Sequence, residues 1–203
     1  MSKKKHSVRR TYLVGVDEVG RGPIAGPVAV GAVIFLKTAI PLAMRPGTDS
    51  KKLSPALREE WFRKIKTARK NQLLDYAVSF VGSEIIDSEG LSFAIRKALK
   101  VSLRKILKIS GASPDDCLVL LDGGLKAPPE FCCQKTIIRG DEKEPVISLA
   151  SIVAKVLRDK KMVKANIDYP GYAFDVHKGY GTKAHYDALK LYNLSPIHRR
   201  SFL

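Results

Sequence analysis

Short apolar runs alternate with longer amphipathic stretches along the chain. Five runs are short, apolar and bounded by glycine, proline or polar residues, which predicts strands. They cover residues 12–16, 28–36, 73–81, 117–121 and 134–139. Between them, apolar residues recur at three- and four-residue steps, which predicts helices over 55–70, 91–109, 145–166 and 183–192, with a helical turn over 83–88. This mixture favours one domain of the α/β class.

Capping residues mark the start of two of these helices. Ser54 precedes Pro55, which places an N-cap directly before a proline at the first helical position. Thr182 stands in the same way before the last helix. In the first helix we expect the buried face to consist of Leu57, Trp61, Ile65 and Ala68.

The remaining segments lack a clear period. Residues 37–45 are interrupted by proline and favour either a further strand or a loop. Residues 174–181 are expected to form a loop, and the tail from residue 196 is expected to fold back on the domain. There is no internal repeat and no clear linker, so we expect residues 12–203 to form one domain behind a disordered basic arm at 1–11.

Charge points to a polyanionic partner. The 203 residues include 36 Lys and Arg against 20 Asp and Glu, which gives a net charge of +16. Nucleic acid is the commonest partner of so basic a protein, although a generically basic protein has the same composition. Three cysteines without disulfide or metal-site spacing favour free thiols in a reducing compartment. With no signal peptide or membrane span in the sequence, we expect a cytoplasmic monomer.

Acidic residues follow three of the predicted strands. Asp17 and Glu18 come after the first, Asp122 after the buried run at 117–121, and Asp141 after the run at 134–139. Carboxylates that converge at one sheet edge repel each other unless cations neutralise them. An all-oxygen ligand set selects Mg²⁺ or Mn²⁺. Because neighbouring side chains on a straight strand face opposite ways, we expect the first strand to end or bend at Asp17. The alternative is that Asp17 and Glu18 only begin an ordinary polar hairpin loop.

Basic and imidazole groups supply further candidates. Arg21 lies between Gly20 and Gly22, where backbone amides and a guanidinium can together bind a phosphate or sugar. Lys51 and Lys52 precede a helix N-terminus, which favours anions, although a solvated lysine pair is an equal alternative. Among the histidines we expect an accessory role at the site for His177 and structural roles for His185 and His198.

Several motifs occur together in a fixed order. They are GVDEVGRGPIAGPVAVGAV, DSKKLS, LLDGG, GDEKEPVISLASIVAKVLRD and HKGYGTKAH. This combination resembles the bacterial ribonuclease HII family over residues 12–195. The resemblance implies a ribonuclease H-like fold, with a five-stranded mixed sheet flanked by helices and a C-terminal helical extension. It also implies an endoribonuclease that hydrolyses the RNA strand of RNA–DNA hybrids and cuts 5′ of ribonucleotides embedded in DNA, using two Mg²⁺ or Mn²⁺ ions.

The resemblance also assigns roles to residues. The metal ligands would be Asp17, Glu18, Asp122 and Asp141. Gly20, Arg21 and Gly22 would contact the ribose 2′-hydroxyl and the adjoining phosphate, and Tyr180 would stack at the ribonucleotide–deoxynucleotide junction. Further phosphate contacts would come from Lys51, Lys52, Ser148 and Ser151.

Two positions in the predicted helix over 145–166 need comment. We expect Asp159 to pair with Lys155 or Arg158, and Leu149 departs from the alanine more usual in relatives.

Two other functions are alternatives to a ribonuclease. One is a nuclease of the same fold with no ribose requirement, and the other is a non-catalytic nucleic-acid binder. Four retained carboxylates argue against the binder, because they would weaken phosphate binding in a basic groove.

Overall fold

The computed structural model describes residues 12–36, 40–46 and 53–203. The basic arm at 1–11 and the Lys51–Lys52 pair lie outside these described residues. Within them, five strands are β1 (Tyr12–Val19), β2 (Val28–Leu36), β3 (Leu74–Val81), β4 (Cys117–Asp122) and β5 (Gln134–Ile137). They form one mixed sheet in the order β3-β2-β1-β4-β5. The β1–β2 and β2–β3 pairs are antiparallel, whereas β1–β4 and β4–β5 are parallel.

Helices fill most of the remaining chain, and short 3₁₀ turns connect them. In the described part no helix is both long and apolar enough to cross a membrane. The helices are α1 (Pro55–Lys70), α2 (Ser83–Glu89), α3 (Leu91–Ser110), α4 (Gly140–Lys143), α5 (Pro145–Asp168), α6 (Phe174–His177) and α7 (Lys183–Tyr192).

The predicted capping residues do cap their helices. Ser54 Oγ accepts a hydrogen bond from the Leu57 amide at 3.2 Å. Thr182 Oγ1 accepts one from the His185 amide at 3.3 Å. Each oxygen satisfies one of the backbone donors that a helix N-terminus leaves open, so the local sequence decides where α1 and α7 begin.

The two faces of the sheet pack against different helices. The apolar stripe of α3 covers one face together with inward residues of the strands such as Val14 and Val30. The other face packs against α5 and α1, and the fully buried Leu149 belongs to this second cluster. The sheet is therefore the middle layer of an α/β/α arrangement, as its continuous apolar strands predict.

Two glycines let α5 lie directly on the sheet. A Cβ on Gly15 of β1 would lie 2.3 Å from the Val146 carbonyl oxygen, and one on Gly31 of β2 would lie 2.5 Å from the Ala150 oxygen. Any larger residue would push the helix away. This contact brings the N-terminal half of α5 against the strand that carries Asp17 and Glu18.

A smaller core holds the C-terminal helical part in place. Ala25, Met162, Tyr172, Phe174 and Ala188 form a third buried cluster between the β1–β2 connection, the end of α5, and the helices α6 and α7. The tail folds back as expected, because Ala25 and His198 form an isolated β-bridge. Hydrogen bonds from the Arg200 and Ser201 amides to Asp87, each at 3.0 Å, attach the last residues to α2.

Some local expectations were wrong. Strand β1 does not end at Val16 but continues through Asp17 and Glu18 to Val19. Residues 174–177 form the single-turn helix α6, bounded by left-handed residues on both sides, and four residues are too few for a helical period to appear in a sequence. Residues 42–44 form a 3₁₀ turn, so the open choice between strand and loop resolves against a strand there.

The buried face of α1 is shifted from the expected one. Ile65 and Ala68 are buried as expected, but the third buried residue is Phe62, whereas Leu57 is 39% exposed. Trp61 packs at the edge of the cluster, where the Lys64 ammonium lies 4.7 Å from its ring centroid. Leu57 lies in the first turn of the helix, so the sheet covers a stripe that begins one turn later.

Candidate active site

Two buried carboxylates lie side by side where parallel strands β1 and β4 end. The ladder between these strands stops at the pair Val16 and Leu121. Asp17 and Asp122 are the next residues in each strand, and their exposed fractions are 1% and 7%. Parallel strands therefore bring together two acids that are more than a hundred residues apart in sequence.

The third acid, Asp141, comes from the short helix α4 and not from a strand end. The Gly140 amide donates a hydrogen bond to Asp122 Oδ1 at 2.6 Å. A Cβ at Gly140 would lie 2.6 Å from Ile147 Cδ1 of α5 and 3.3 Å from Asp122 Oδ1, so glycine lets α4 lie close to both side chains. Asp141 follows directly and is 2% exposed.

Glu18 is the fourth acid, and its environment resists a negative charge. Burial raises the pKa of the Glu18 carboxyl, and the charge of Asp122 raises it further. A hydrogen bond from Arg21 Nη1 to Glu18 Oε1 at 2.9 Å opposes both effects. Among the described residues, nothing donates a hydrogen bond to the buried Glu18 Oε2. A buried carboxylate oxygen in this state suits a cation.

Continuation of β1 does not prevent the two neighbouring acids from reaching one site. Glu18 lies two residues beyond the last β1–β4 pair, so no β4 residue pairs with it. The electrostatic contact between Glu18 and Asp122 places both near the end of β4. Both acids can therefore lie near the end of β4 because β1 extends past it, and no bend in β1 is needed.

The loop after β1, Gly20-Arg21-Gly22, is held from behind by a buried arginine. Arg199 donates hydrogen bonds to the carbonyl oxygens of Gly20 at 2.7 Å, Arg21 at 3.0 Å and Gly26 at 2.9 Å. Its side chain is fully buried. Burial lowers the pKa of Arg199 to about 10, and the neighbouring charge of Arg158 lowers it as well, which leaves a cation at neutral pH.

A second buried arginine packs against Gly20 of this loop and bonds to segments beside it. Arg158 donates to the Pro27 carbonyl at 2.9 Å and to the Lys178 carbonyl at 3.1 Å. Gly20 has a φ of +92°, and a Cβ there would lie 2.3 Å from Arg158 Nε. Glycine is therefore required at position 20 both by the backbone and by contact with the arginine.

This support orients the peptide groups of the loop. In a trans peptide the C=O and N–H bonds point in opposite directions. Because the Gly20 and Arg21 carbonyls face Arg199, the N–H groups of Arg21 and Gly22 point away from it. Neither N–H donates a backbone hydrogen bond to another described residue. The loop therefore offers two backbone donors to a ligand.

A cleft of about 360 Å³ brings together six of the twelve predicted site residues, while Asp17, Asp122 and Asp141 do not line it. It is lined by Glu18, Gly20, Arg21, Gly22, Ser151 and Tyr180, together with Val19, Arg58, Ile152 and Lys155. The Tyr180 ring is 41% exposed, and a Cβ on Gly22 would lie 4.0 Å from its Cε1 atom. The cleft thus brings together an acid, a loop with two available backbone donors and an aromatic ring.

The model of the family described as Ribonuclease HII matches residues 14–203. The chain belongs to the ribonuclease HII family. The match includes β1, the loop after it, α5 and the C-terminal tail, and so contains every element that forms the cleft.

Relatives and solved structures agree with this family. The chain is 45% identical over 191 residues to a ribonuclease HII of Endomicrobium trichonymphae, covering 94% of this chain and 84% of the relative. It is 42% identical over 192 residues to one of Clostridioides difficile strain 630, covering 95% and 70%. The structure is similar to the ribonuclease HII solved in complex with PCNA from Archaeoglobus fulgidus, with a TM-score of 0.72, 22% identity, and coverage of 94% and 95%. The last likeness shows the fold.

Two predicted serines lie near the site in different ways. Ser151 lines the cleft, whereas Ser148, one turn earlier in α5, is 2% exposed and does not line it. The Ser148 hydroxyl is buried with no hydrogen-bond partner among the described residues. Asp159 pairs with Lys155 at 2.8 Å, which confirms the expected structural ion pair.

The histidines form a buried network and not a catalytic group. His185 Nδ1 lies 2.9 Å from the Tyr180 carbonyl oxygen, so this nitrogen carries the proton. His198 Nε2, 2.9 Å from His185 Nε2, must then donate to it. His177 stacks on His185 at 4.2 Å between centroids and bonds the Tyr172 carbonyl. His177 does not line the cleft, so its accessory role at the site stays a prediction, whereas the bonds of His185 and His198 fit the expected structural roles.

Four residues of the site were missed in the sequence. Arg58 and Lys155 line the cleft, while Arg158 and Arg199 hold its loop. Arg158 lies within AKVLRD, a motif that helped to identify the family, and Arg199 lies in a basic tail expected to fold back. The hydrogen-bond partners of Arg158 and Arg199 are backbone carbonyl oxygens. Every residue has one, so no spacing in the sequence reveals these contacts.

The acids offer suitable ligands for Mg²⁺ or Mn²⁺ but do not form a closed cage. Within the described ranges, no three His, Cys, Asp or Glu side chains are arranged so that they could already hold an ion. The donor set consists only of oxygens, and the buried Glu18 Oε2 has no hydrogen bond from a described residue. These two properties fit a hard divalent cation, which keeps several of its waters when bound.

Proposed function

We propose that this protein is an endoribonuclease that cuts duplex DNA on the 5′ side of an embedded ribonucleotide and hydrolyses the RNA strand of RNA–DNA hybrids. One observation carries the proposal: a single cleft joins Glu18, the Gly20–Gly22 loop and the Tyr180 ring. An acid for metal-assisted hydrolysis, backbone donors for a sugar and an aromatic ring for a base lie within one cavity. The net charge of +16 favours the polyanionic substrate.

Asp17, Glu18, Asp122 and Asp141 would hold divalent cations, with Mg²⁺ or Mn²⁺ as the candidates and two ions in the active complex. When bound, such ions lower the pKa of an attacking water and stabilise the departing 3′ oxygen, which leaves 3′-hydroxyl and 5′-phosphate ends. Asp17, Asp122 and Asp141 are buried, and a low-dielectric environment strengthens their interaction with a bound cation.

The loop after β1 would read the ribose. The N–H groups of Arg21 and Gly22 point away from Arg199 and are available to the 2′-hydroxyl and the adjoining phosphate. A 2′-hydroxyl is the group that distinguishes RNA from DNA at a given position. The Arg21 side chain is 58% exposed and pairs with Glu18, so it is free to move to a phosphate once a cation neutralises Glu18.

Tyr180 would stack on the sugar or base at the junction between ribonucleotide and deoxynucleotide. The Lys155 ammonium lies 5.8 Å from the ring centroid and the Arg158 guanidinium 5.9 Å from it. These cations hold the ring in place and add positive potential to the cleft, where Arg58 also lies. Lys51, Lys52, Ser148 and Ser151 remain proposed phosphate contacts.

The deciding experiment compares two labelled duplexes that differ by one 2′-hydroxyl. With Mg²⁺ we expect a single nick 5′ of the ribonucleotide, with a 3′-hydroxyl on the upstream product, and no cutting of the all-DNA duplex or in EDTA. Equal cutting of both duplexes would instead indicate a nuclease without a ribose requirement. Binding without cutting under any metal would indicate a non-catalytic binder.

A further inference from the structure

A second cavity, of about 230 Å³, shares Arg21 with the cleft but is otherwise formed by α3 and the loop after β4. The residues that line it include three cations, Arg21, Arg96 and Lys126, and no acidic residue. All three cations are exposed at the surface. We refer to this cavity as the basic pocket.

The loop that carries Lys126 is fixed on both sides of it. The Leu125 amide donates to the Asp122 carbonyl at 3.2 Å, and Thr136 Oγ1 donates to the Leu125 carbonyl at 2.8 Å. The Ala127 amide donates to Gln134 Oε1 at 2.7 Å. Lys126 therefore projects from an ordered backbone, so little backbone entropy is lost when it binds a ligand.

Arg96 projects from an equally rigid element. It lies on α3 next to Ile95, which is 5% exposed and packs in the core beneath the sheet. Among the described residues, neither Arg96 nor Lys126 forms an ion pair. By contrast, Lys64, Lys160 and Lys190 each lie within 3.2 Å of a carboxylate. Arg21 pairs with Glu18, so it is the positive charge of Arg96 and Lys126 that no acid in the described part of the chain neutralises.

We propose that the basic pocket is a phosphate subsite that binds the sugar–phosphate backbone of the bound duplex outside the cleft. The proposal rests on the proposed function, because Arg21 links the pocket to the cleft in which the scissile strand would lie. Three cations around one concavity repel one another, and a phosphodiester between them removes that repulsion. Such contacts position a duplex without reading its sequence.

The first test measures how binding depends on salt. Arg96 and Lys126 are both replaced in the variant Arg96→Gln/Lys126→Gln, and the control Lys97→Gln/Lys100→Gln removes the same charge from the same helix outside the pocket. Arg21 is left unchanged because it belongs to the cleft. A fluorescent duplex with one ribonucleotide is titrated in EDTA at several salt concentrations. We expect the slope of log K against log salt to become shallower by about 1.8 in the pocket variant, at about 0.9 per lost phosphate contact. The slope of the control should match the wild type.

An unchanged slope in the pocket variant, or an equal change in the control, would overturn the proposal. The second outcome would mean that only the general positive field matters. The turnover number of the control at saturating substrate should match that of the wild type. If the wild type cuts neither duplex, the proposed ribonuclease function fails, while the slopes still decide whether the pocket binds phosphate.

The second test locates the contacted phosphate. Single phosphodiesters along the duplex are replaced by neutral methylphosphonates, and binding is measured for the wild type and the pocket variant. We expect one or two positions at which neutralisation weakens the wild type but leaves the variant unchanged, which is the coupling expected of groups in contact. Equal sensitivity of both proteins at every position would contradict the subsite.

Discussion

Two sets of buried charge lie close together and differ in how they are satisfied. The acidic edge consists of Asp17, Glu18, Asp122 and Asp141, and the arginine pair consists of Arg158 and Arg199. Each arginine donates to at least two backbone carbonyl oxygens at 2.7–3.1 Å, from Nε and the terminal nitrogens. In the acidic edge, charges of one sign accumulate, and burial together with Asp122 raises the pKa of Glu18.

The difference separates structure from chemistry. A buried cation surrounded by carbonyl dipoles needs no further partner, so the arginine pair serves to hold the loop. A buried acidic cluster costs free energy until a cation joins it. The arginine pair thus helps to fix one wall of the cleft, whereas the acidic edge concentrates negative charge beside it.

The largest expected effect concerns the acidic edge. Asp17→Asn removes a charge but little volume, so we expect cleavage of a ribonucleotide duplex to fall by at least about 10²-fold, since a major source of transition-state stabilisation is lost. Duplex binding in EDTA should persist. The matched control is Asp75→Asn on β3, which breaks the ion pair between Asp75 and Arg69 of α1. Loss of binding with residual cleavage would contradict the role of Asp17.

The arginine pair should show the reverse pattern, with stability as the main loss. Arg199→Leu removes the donor from three carbonyl oxygens, of which those of Gly20 and Gly26 are bonded in buried positions, so we expect the free energy of unfolding to fall by about 3 kcal/mol or more. Urea unfolding followed by circular dichroism measures this. Arg200→Ala, next along the chain and exposed, should change it by less than about 0.5 kcal/mol. A stable Arg199→Leu protein would mean that the loop does not depend on this support.

A smaller effect is expected at the aromatic ring of the cleft. Tyr180→Ala removes a stacking surface worth about 1–3 kcal/mol per base, which corresponds to roughly a 5- to 150-fold loss of activity. We expect the loss to be larger for a duplex with a single ribonucleotide than for a long RNA–DNA hybrid. Equal losses in kcat/KM on both substrates would argue against a junction-sensing role.

The smallest effect concerns the buried histidines His185 and His198, which the fold keeps uncharged. Burial lowers the pKa of His185 to about 4 and also lowers that of His198. The unfolded chain then binds more protons below the ordinary histidine pKa of about 6.5. We therefore expect the contribution of these histidines to the unfolding free energy to be complete above pH 6.5. It should be lost as the pH drops from about 6.5 to about 4.

Comparison with a variant isolates this contribution from the carboxyl groups. His185→Gln should be less stable at pH 7 and should lose less stability between pH 7 and pH 4.5 than the wild type. Urea titrations at a series of pH values provide the measurement. Parallel stability curves for the two proteins would show that His185 does not titrate in this range.

The same comparison explains what the sequence could and could not predict. Asp17, Glu18 and Asp122 could be named as candidates because an acid directly after an apolar run is visible in the sequence. Asp141 could be named as well, although it lies in a short helix and not at a strand exit. Arg199 was missed because its partners are the carbonyl oxygens of Gly20, Arg21 and Gly26, and backbone oxygens carry no sequence signal.

Local structure was predictable wherever the chain alone decides it. Ser54 and Thr182 marked their helix starts because capping is a contact between residues three apart. The burial of Phe62 in place of Leu57 depends on which turns of α1 the sheet covers, and that is a tertiary property. The path of β1 through Glu18 likewise depends on pairing with β2, which continues to Val19.

The most direct test of the acidic edge is Mn²⁺ binding to the protein alone, followed by loss of the free-ion electron paramagnetic resonance signal. The account predicts that the wild type binds at least one Mn²⁺, that Asp17→Asn weakens this binding by more than about 10-fold, and that Asp75→Asn leaves it unchanged. Equal Mn²⁺ affinity in the wild type and Asp17→Asn, or no binding to the wild type, would contradict the claim that the acidic edge is a cation site.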